Sequence, residues 1–572
     1  MSRWLLAGLA LMLVAGLGLR APSLTLRPFH NDEGVNAMKF RRLYVNNNYT
    51  YDPVEFHGPS LPYLTLPAAW LQGGGGFNQF TEATYRSVAL AFGLGLILLL
   101  LLLAADFGRA ETLWAAAFTA LSPAMVFYSR YYIHEMLLVF FTAWTFTSFW
   151  RYAASGRAAW AVAGGIGLGL MSATKETFVF ALAAMALSAI TSALWVRGRG
   201  AARQQPNFNH EGREGHEVLN KPNGSAFLRA LRVLRGERVS SEMSDFGMAP
   251  SEGGAPGLPS RWKWAHLVTA LAAAAVTGLL FFSSFFTNAA GPLDALRAYL
   301  PWFRRAGGAT EHVHPWTFYF QRLLFFHVHG GPFWSEGFIV ALAAVGFFGA
   351  LRGRSLLLRL IAFYTFWLTL IYTLLPYKTP WCLLGFFHGM ILLAGAGAAL
   401  LWRACRPVGL KAVFVVLLAA GLSHLGWQAW RGNFGVDATG VPYCDSAKNP
   451  YVYSQTLPDA LRLVATVEGI ALANANGYDI VLEVMAPESN YGPLPWYLRR
   501  FKNVGYWDYI PDQPLAPIMI VSTDLHAAFD ERPGKTHLMA GYFALRPQVF
   551  LELYVNTNLW AAYIKTLPPE KD

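Results

Sequence analysis

Charge is scarce in this sequence. Only 14% of its 572 residues are Asp, Glu, Lys or Arg, against about 25% in a soluble globular chain. That shortage, with 54% apolar residues and a mean hydropathy of +0.32, excludes a soluble globular domain and points to a polytopic membrane protein. Cysteine is nearly missing too. Cys382 lies in an apolar run, Cys405 in a short basic loop and Cys444 in the C-terminal part. Such an odd, scattered set excludes a disulfide framework and a thiolate metal site. The C-terminal part has no glycine-rich phosphate loop and no nucleophile elbow. No small-x-small cleavage site stands out near the first apolar run, and Arg20 follows that run directly, so it reads as a retained signal anchor. No internal repeat is visible.

Apolar and aromatic residues are abundant. The 20 Trp and 25 Tyr fit belts at membrane interfaces. Apolar runs of spanning length lie near 4–19, 83–104, 112–128, 132–150, 158–174, 177–196, 265–286, 337–351, 356–375, 381–402 and 410–428. The expected fold is a polytopic α-helical membrane protein with about 11 transmembrane helices. Basic residues gather in four loops: Arg151 and Arg157; Arg197 to Lys263; Arg352, Arg354 and Arg359; Arg403, Arg406 and Lys411. All four fall on one side if the N-terminus is cytoplasmic, as the positive-inside rule requires. The net charge of +11 is explained by those loops, so the partner is the lipid bilayer and not nucleic acid.

This topology gives a transmembrane domain over 1–429, with an outer loop 20–82, a cytoplasmic linker 197–263 and an outer loop 287–336. An extracytoplasmic α/β domain follows over 430–572, with a helix at 458–474 and buried strands at 478–485 and 516–522. Within the linker, 200–260 is polar enough to be mostly disordered, and 226–238 has the pattern of a basic amphipathic helix.

The chemistry-bearing residues collect on the outer side. Asp32 and Glu33 follow the first span. Neighbouring carboxylates do not both enter one small site from a regular helix, so one serves as base or cation ligand while the other holds the loop. The plainer alternative is a helix cap at Asn31 or Asp32, opening a helix over about 33–45. His57, in His57-Gly58-Pro59, is placed to donate to a phosphate oxygen. Arg130, His134, Glu135, Lys175 and Glu176 sit at the outer ends of spans, where ionisable residues are costly and mark function; structural ion pairs are the alternative. The loop 287–336 is dense in Arg, His and Trp, including Arg304. Its His312, His314, His327 and His329 form two His-x-His pairs, which with Asp32 are candidates for a divalent cation, against the alternative of an aromatic belt. Tyr377 and Lys378 lie at the outer mouth between two spans, where Lys378 suits a phosphate.

Taken together these residues resemble the GT-C superfamily, the class of protein O-mannosyltransferases and aminoarabinose transferases. The segments HNDEGVNA, YDPVEFHGP, YSRYYIHE, SATKETF, HGGPFW, YKTPW, NPYVYSQT and PLPWYLRR are similar to a bacterial and archaeal family described as flippase-activity-associated or protein-mannosyltransferase-like. The resemblance covers nearly the whole chain. It departs at Gly492, where a Trp is expected before PLPWYLR, and at the long linker. It implies inverting transfer of a sugar from a polyprenyl-phosphate donor to a protein, lipid or glycan acceptor on the outer face of the plasma membrane. Asp32 is then the base. Lys378, Arg130, and His57 or Arg304 hold the lipid phosphate beside Tyr377, directly or through a cation. The spans form a prenyl groove, and the outer domain helps bind the acceptor. The competing expectations are a flippase or flippase-accessory protein for lipid-linked oligosaccharide, and a structural subunit that kept the fold and lost activity.

Overall fold

The computed structural model describes residues 3–54, 57–73, 76–203, 263–301, 312–512 and 515–568. Most of the expected linker, its amphipathic helix at 226–238 and Arg304 lie outside the described residues.

Each apolar run falls on helix. In chain order the helices before the linker are α1 (Arg3–Arg20), α2 (Asn31–Asn46) and α3 (Ser60–Leu71) in the expected loop 20–82, α4 (Glu82–Phe107), α5 (Arg109–Leu121), α6 (Pro123–Tyr128), α7 (Glu135–Ser155), α8 (Ala158–Ser172) and α9 (Phe178–Arg203). After the linker come α10 (Trp264–Phe282), α11 (Gly337–Arg352), α12 (Leu356–Leu374), α13 (Leu384–Ala404) and α14 (Val408–Phe434). The run 112–128 is not one helix. Pro123 has no N–H to continue α5, and Ser122 Oγ instead accepts from Met125 N at 3.2 Å to open α6. Among the described residues, seven helices are long and apolar enough to cross a membrane: α1, α4, α9, α10, α12, α13 with its preceding turn, and α14. The apolar helices α8 and α11 are shorter, so length and composition identify fewer than the eleven spans expected.

The protein covers little of several of these helices. Val268, Leu271, Val276 and Leu279 of α10 and Val413, Val415, Val416 and Leu417 of α14 are exposed. Such faces suit lipid, not water. Between α11 and α13 the approach is closest at two glycines. A Cβ on Gly346 would lie 1.9 Å from Leu393 O, and one on Gly397 would lie 2.0 Å from Leu342 O. Only glycine lets these backbones touch.

The helix ends sort by charge. Arg403 pairs with Glu111 at 2.7 Å and Arg151 with Asp106 at 3.8 Å, while Trp195 Nε1 donates to Leu351 O at 3.1 Å. The ends that carry the four basic loops therefore meet at one end of the bundle. Asp32, His57, Glu135, Lys175 and Tyr377 meet around one cavity at the other.

The C-terminal part has α15 (Asp459–Leu472) and strands β1 (Val481–Met485), β2 (Asn503–Trp507), β3 (Ile518–Ser522), β4 (His537–Arg546) and β5 (Val549–Asn556). The sheet order is β2-β1-β3-β5-β4, parallel for β2-β1-β3 and antiparallel for the rest. The buried run of β3 suits a strand covered on both faces. This unit shares a core with the segment before α2 and with α4: Trp496 packs on Phe29 and Tyr85 with centroids 5.2 and 5.1 Å apart. Tyr497 accepts from Phe29 N at 2.7 Å and donates to Glu82 at 2.9 Å. The sheet domain is thus fastened against the helix that carries Asp32.

Candidate active site

The two adjacent carboxylates have separate tasks. Helix α2 is capped by His30, and not, as in the plainer alternative, by Asn31 or Asp32. His30 Nδ1 accepts from Asp32 N at 3.1 Å, and Glu33 Oε2 reaches back to His30 N at 3.0 Å. This reciprocal cap leaves Asp32 out of the capping role. Burial lowers the His30 pKa, which fits a neutral ring whose Nδ1 is an acceptor.

Glu33 is fully buried. Arg86 donates Nε and an Nη to its two oxygens, both at 2.7 Å, and Tyr132 N adds a third bond at 2.9 Å. Arg27 lies 3.9 Å away. Burial alone would raise the Glu33 pKa, but the Arg86 pair overrides it and the value falls to about 2. Glu33 therefore holds α2 to α4 and to the turn before α7. Asp32, one residue earlier on the helix, keeps 45% of its side chain exposed and lines a cavity.

That cavity measures about 260 Å³. Its walls include Asp32 and Asn36 from α2, His57, His134 and Glu135 before and at the start of α7, Lys175 and Thr177 from the α8–α9 turn, and Tyr377, Thr379 and Trp381 from the mouth before α13. Lys175 pairs with Glu135, and both are buried. Burial opposes the Lys175 charge, and Glu135 outweighs it, so the ammonium is retained. His57 Nδ1 lies 2.8 Å from Glu176 Oε2. The His57 loop is stitched to the 173–174 turn: Gly58 N donates to Thr174 O at 3.1 Å and Ser60 N to Ala173 O at 2.8 Å. A Cβ on Gly58 would lie 2.2 Å from Ala173 O, so the close approach requires glycine.

Other expected contacts are placed elsewhere. Arg130 donates to the carbonyls of Arg20, Pro22 and Ser23 at 2.6–3.0 Å and does not line the cavity. It anchors the chain leaving α1. Lys378 Nζ donates to the carbonyls of Leu375 and His314, which turns it into a brace for the mouth and away from the cavity lining. His312 and His314 approach the Tyr453 hydroxyl at 2.6 and 3.4 Å, and His327 stacks on Phe333. Among the described residues no group of three or more His, Cys, Asp or Glu side chains is arranged to hold a metal ion. The candidate cation ligands do not converge, so they do not fit a cation and no chemistry is assigned to one.

Three further features were not singled out from sequence. Arg86 is an ionisable residue in an otherwise apolar run, the signal that would have found it. Glu336 is buried and receives Ser122 Oγ at 2.6 Å, Ala124 N at 2.8 Å and Tyr451 Oη at 2.5 Å, locking α6 to the C-terminal part. The cavity also continues inward. A narrow space of about 30 Å³ shares Glu135, Thr177, Tyr372, Trp381 and Cys382 with it. A deeper one of about 40 Å³ shares Val139, Thr142, Tyr364 and Gly385 with the second, and its walls include Leu96, Leu100, Leu103, Leu392 and His388. From Glu135 to Thr147 along α7 this apolar slot descends about 18 Å, at about 1.5 Å per residue.

Residues 34–206 match the family model of dolichyl-phosphate-mannose-protein mannosyltransferase. No curated protein matches the chain. Among solved structures the chain is similar to ArnT from Cupriavidus metallidurans in the apo state, at 12% identity over 96% of this chain and 97% of that one, with a TM-score of 0.57. It is similar to the same protein bound to undecaprenyl phosphate, at 13% identity over 96% and 98%, with a TM-score of 0.55. A third likeness is the Archaeoglobus fulgidus oligosaccharyltransferase tethered with an acceptor peptide, at 13% identity, 89% of this chain and a TM-score of 0.49. The chain spans only 64% of that oligosaccharyltransferase.

Proposed function

We propose that this chain, a multi-pass membrane protein of the GT-C superfamily, transfers a sugar from a polyprenyl-phosphate donor to an acceptor at the outer face of the plasma membrane. The observation that carries the reading is the union of a polar cavity and an apolar slot. Asp32 is the exposed carboxylate of the cavity, and the slot starts at Glu135, Tyr372 and Trp381 in the same walls. A lipid-linked donor has this two-part chemistry: a charged head carrying the sugar, and a long apolar tail. The ArnT bound to undecaprenyl phosphate supports the donor class by likeness of fold.

In this reading Asp32 takes the proton of the acceptor hydroxyl or amide as its oxygen or nitrogen attacks C1 of the sugar. Attack from the side opposite the phosphate inverts the anomeric centre. His57 and Lys175 face the phosphate, and Glu135 keeps Lys175 oriented. Preorganised charges at a leaving phosphate lower the barrier without reorganisation. Glu33 stays outside the chemistry and fixes the position of Asp32. The C-terminal sheet domain, fastened to α2, borders the acceptor's approach.

A flippase needs ionisable groups along a path across the bilayer. Here the carboxylates and ammonium gather around one end of the slot, which favours transfer. Purified protein in lipid, given a panel of polyprenyl-phosphate sugars and nucleotide sugars, is expected to transfer only from a lipid-linked donor. Transfer from nucleotide sugars would sink the donor assignment. Movement of lipid-linked sugar across vesicles without transfer would establish the flippase instead.

A further inference from the structure

The loop carrying His57 and the turn carrying Glu176 are built around one imidazole. Glu176 is buried, and its oxygens are divided: Oε2 lies 2.8 Å from His57 Nδ1, and Oε1 accepts the Tyr51 hydroxyl at 3.2 Å. Tyr51 is held in turn against Phe282, with centroids 5.1 Å apart. Burial alone would raise the Glu176 pKa, and His57 beside it reverses the effect and lowers it. A carboxylate at Nδ1 keeps a proton on that nitrogen and leaves Nε2 on the side away from the carboxylate. His57 lines the cavity that Asp32 lines. The other ionisable groups around it are His134, whose ring stands edge-on at 5.2 Å, Lys175 and Glu135 in the adjoining walls, and Tyr299, whose hydroxyl reaches Glu176 O at 3.5 Å.

We infer that His57 is the general acid of the reaction and that Glu176, with Tyr51 behind it, is its positioning residue. This inference rests on the donor class proposed above. The acceptor proton passes to Asp32 as the new bond to C1 forms. The bond from C1 to the phosphate oxygen breaks, and its electron pair stays on that oxygen. His57 delivers its Nε2 proton there and is left neutral, with Nδ1–H still on Glu176. The Asp32 proton then leaves to water, and a proton from water recharges His57.

The test is the pH profile of kcat/KM for transfer from a polyprenyl-phosphate sugar, measured for wild type, Glu176→Gln, Tyr51→Phe and His57→Lys. Binding of a polyprenyl monophosphate against the matching uncharged polyprenol is measured beside it. Wild type is expected to lose rate on an alkaline limb that reports His57. Glu176→Gln removes the charge, so that limb moves down by about one pH unit, and the rate above it falls about tenfold. Tyr51→Phe moves it less, in the same direction. His57→Lys keeps the preference for phosphate over polyprenol and removes the limb below pH ~9, where lysine stays protonated. Tyr51→Phe and His57→Lys carry the test if Glu176→Gln does not fold. A wild-type limb that stays in place in both Glu176→Gln and Tyr51→Phe overturns the inference and leaves the donor class intact. Wild type that neither transfers nor prefers the phosphate over the polyprenol overturns the donor class, and the inference with it.

Discussion

At the scale of single residues, neighbours on one helix turn do different work because their partners differ. Glu33 accepts four hydrogen bonds, two of them from a bidentate arginine, and Asp32 has the cavity. Removing one partner of a buried ion pair typically costs about 3–5 kcal/mol. Glu33→Gln is therefore expected to lower thermal stability sharply, read by unfolding in detergent, whereas Asp32→Asn is expected to leave it within about 0.5 kcal/mol, as for exposed sites. The sign of the pH effect follows from the depressed value. Because the folded pKa is about 2 and the ordinary one is 4.5, this stabilisation is present above about pH 4.5 and is lost as pH falls toward 2. Wild type should lose stability through that window, and Glu33→Gln should lose less. Equal losses would mean that the Arg86 pair does not hold the fold. The departure at Gly492 also has a residue-scale cause: a Cβ there would lie 1.7 Å from Asn31 Oδ1, so a side chain would displace the start of α2.

At the scale of elements, the site depends on how a loop is fastened. The His57 loop lies flat on the 173–174 turn, and the hydroxyls of Ser60 and Thr174 meet at 2.8 Å. Gly58→Ala is expected to lift the loop and part His57 from Glu176. A misplacement of about 1 Å is able to cost about a hundredfold in rate, so kcat/KM should fall far more than the unfolding temperature. Unchanged transfer by Gly58→Ala would show that His57 takes no part. Here the sequence was legible in part. The apolar runs located the long helices of the bundle, and two strands and the tail helix, because burial writes a pattern into local sequence; α3, inside the expected loop 20–82, was not located. The contacts of Arg130 and Lys378 were not legible, since a cation at a span's end is compatible with either a ligand or a backbone carbonyl. Only packing decides: both cations were taken up by carbonyls of the chain's own turns. The cap at His30 was hidden for the same reason, because an imidazole caps only when Glu33 returns to its N–H.

At the scale of the whole molecule, the fold joins a polar mouth to an apolar slot inside the bundle. Thr142 lines both inner spaces. Thr142→Phe is expected to obstruct the slot and to raise KM for a long-chain donor several-fold, with little change for a donor carrying one or two isoprene units. An equal rise for both would place the tail elsewhere. None of this connectivity was visible in the sequence, because α4, α7, α9, α12 and α13 contribute to it from positions hundreds of residues apart. The most direct test of the account is transfer of radiolabelled sugar from a polyprenyl-phosphate donor by purified protein in lipid, comparing wild type with Asp32→Asn. The expected result is transfer by the wild type and loss of it in a variant that folds and inserts normally. Undiminished transfer by Asp32→Asn would contradict it.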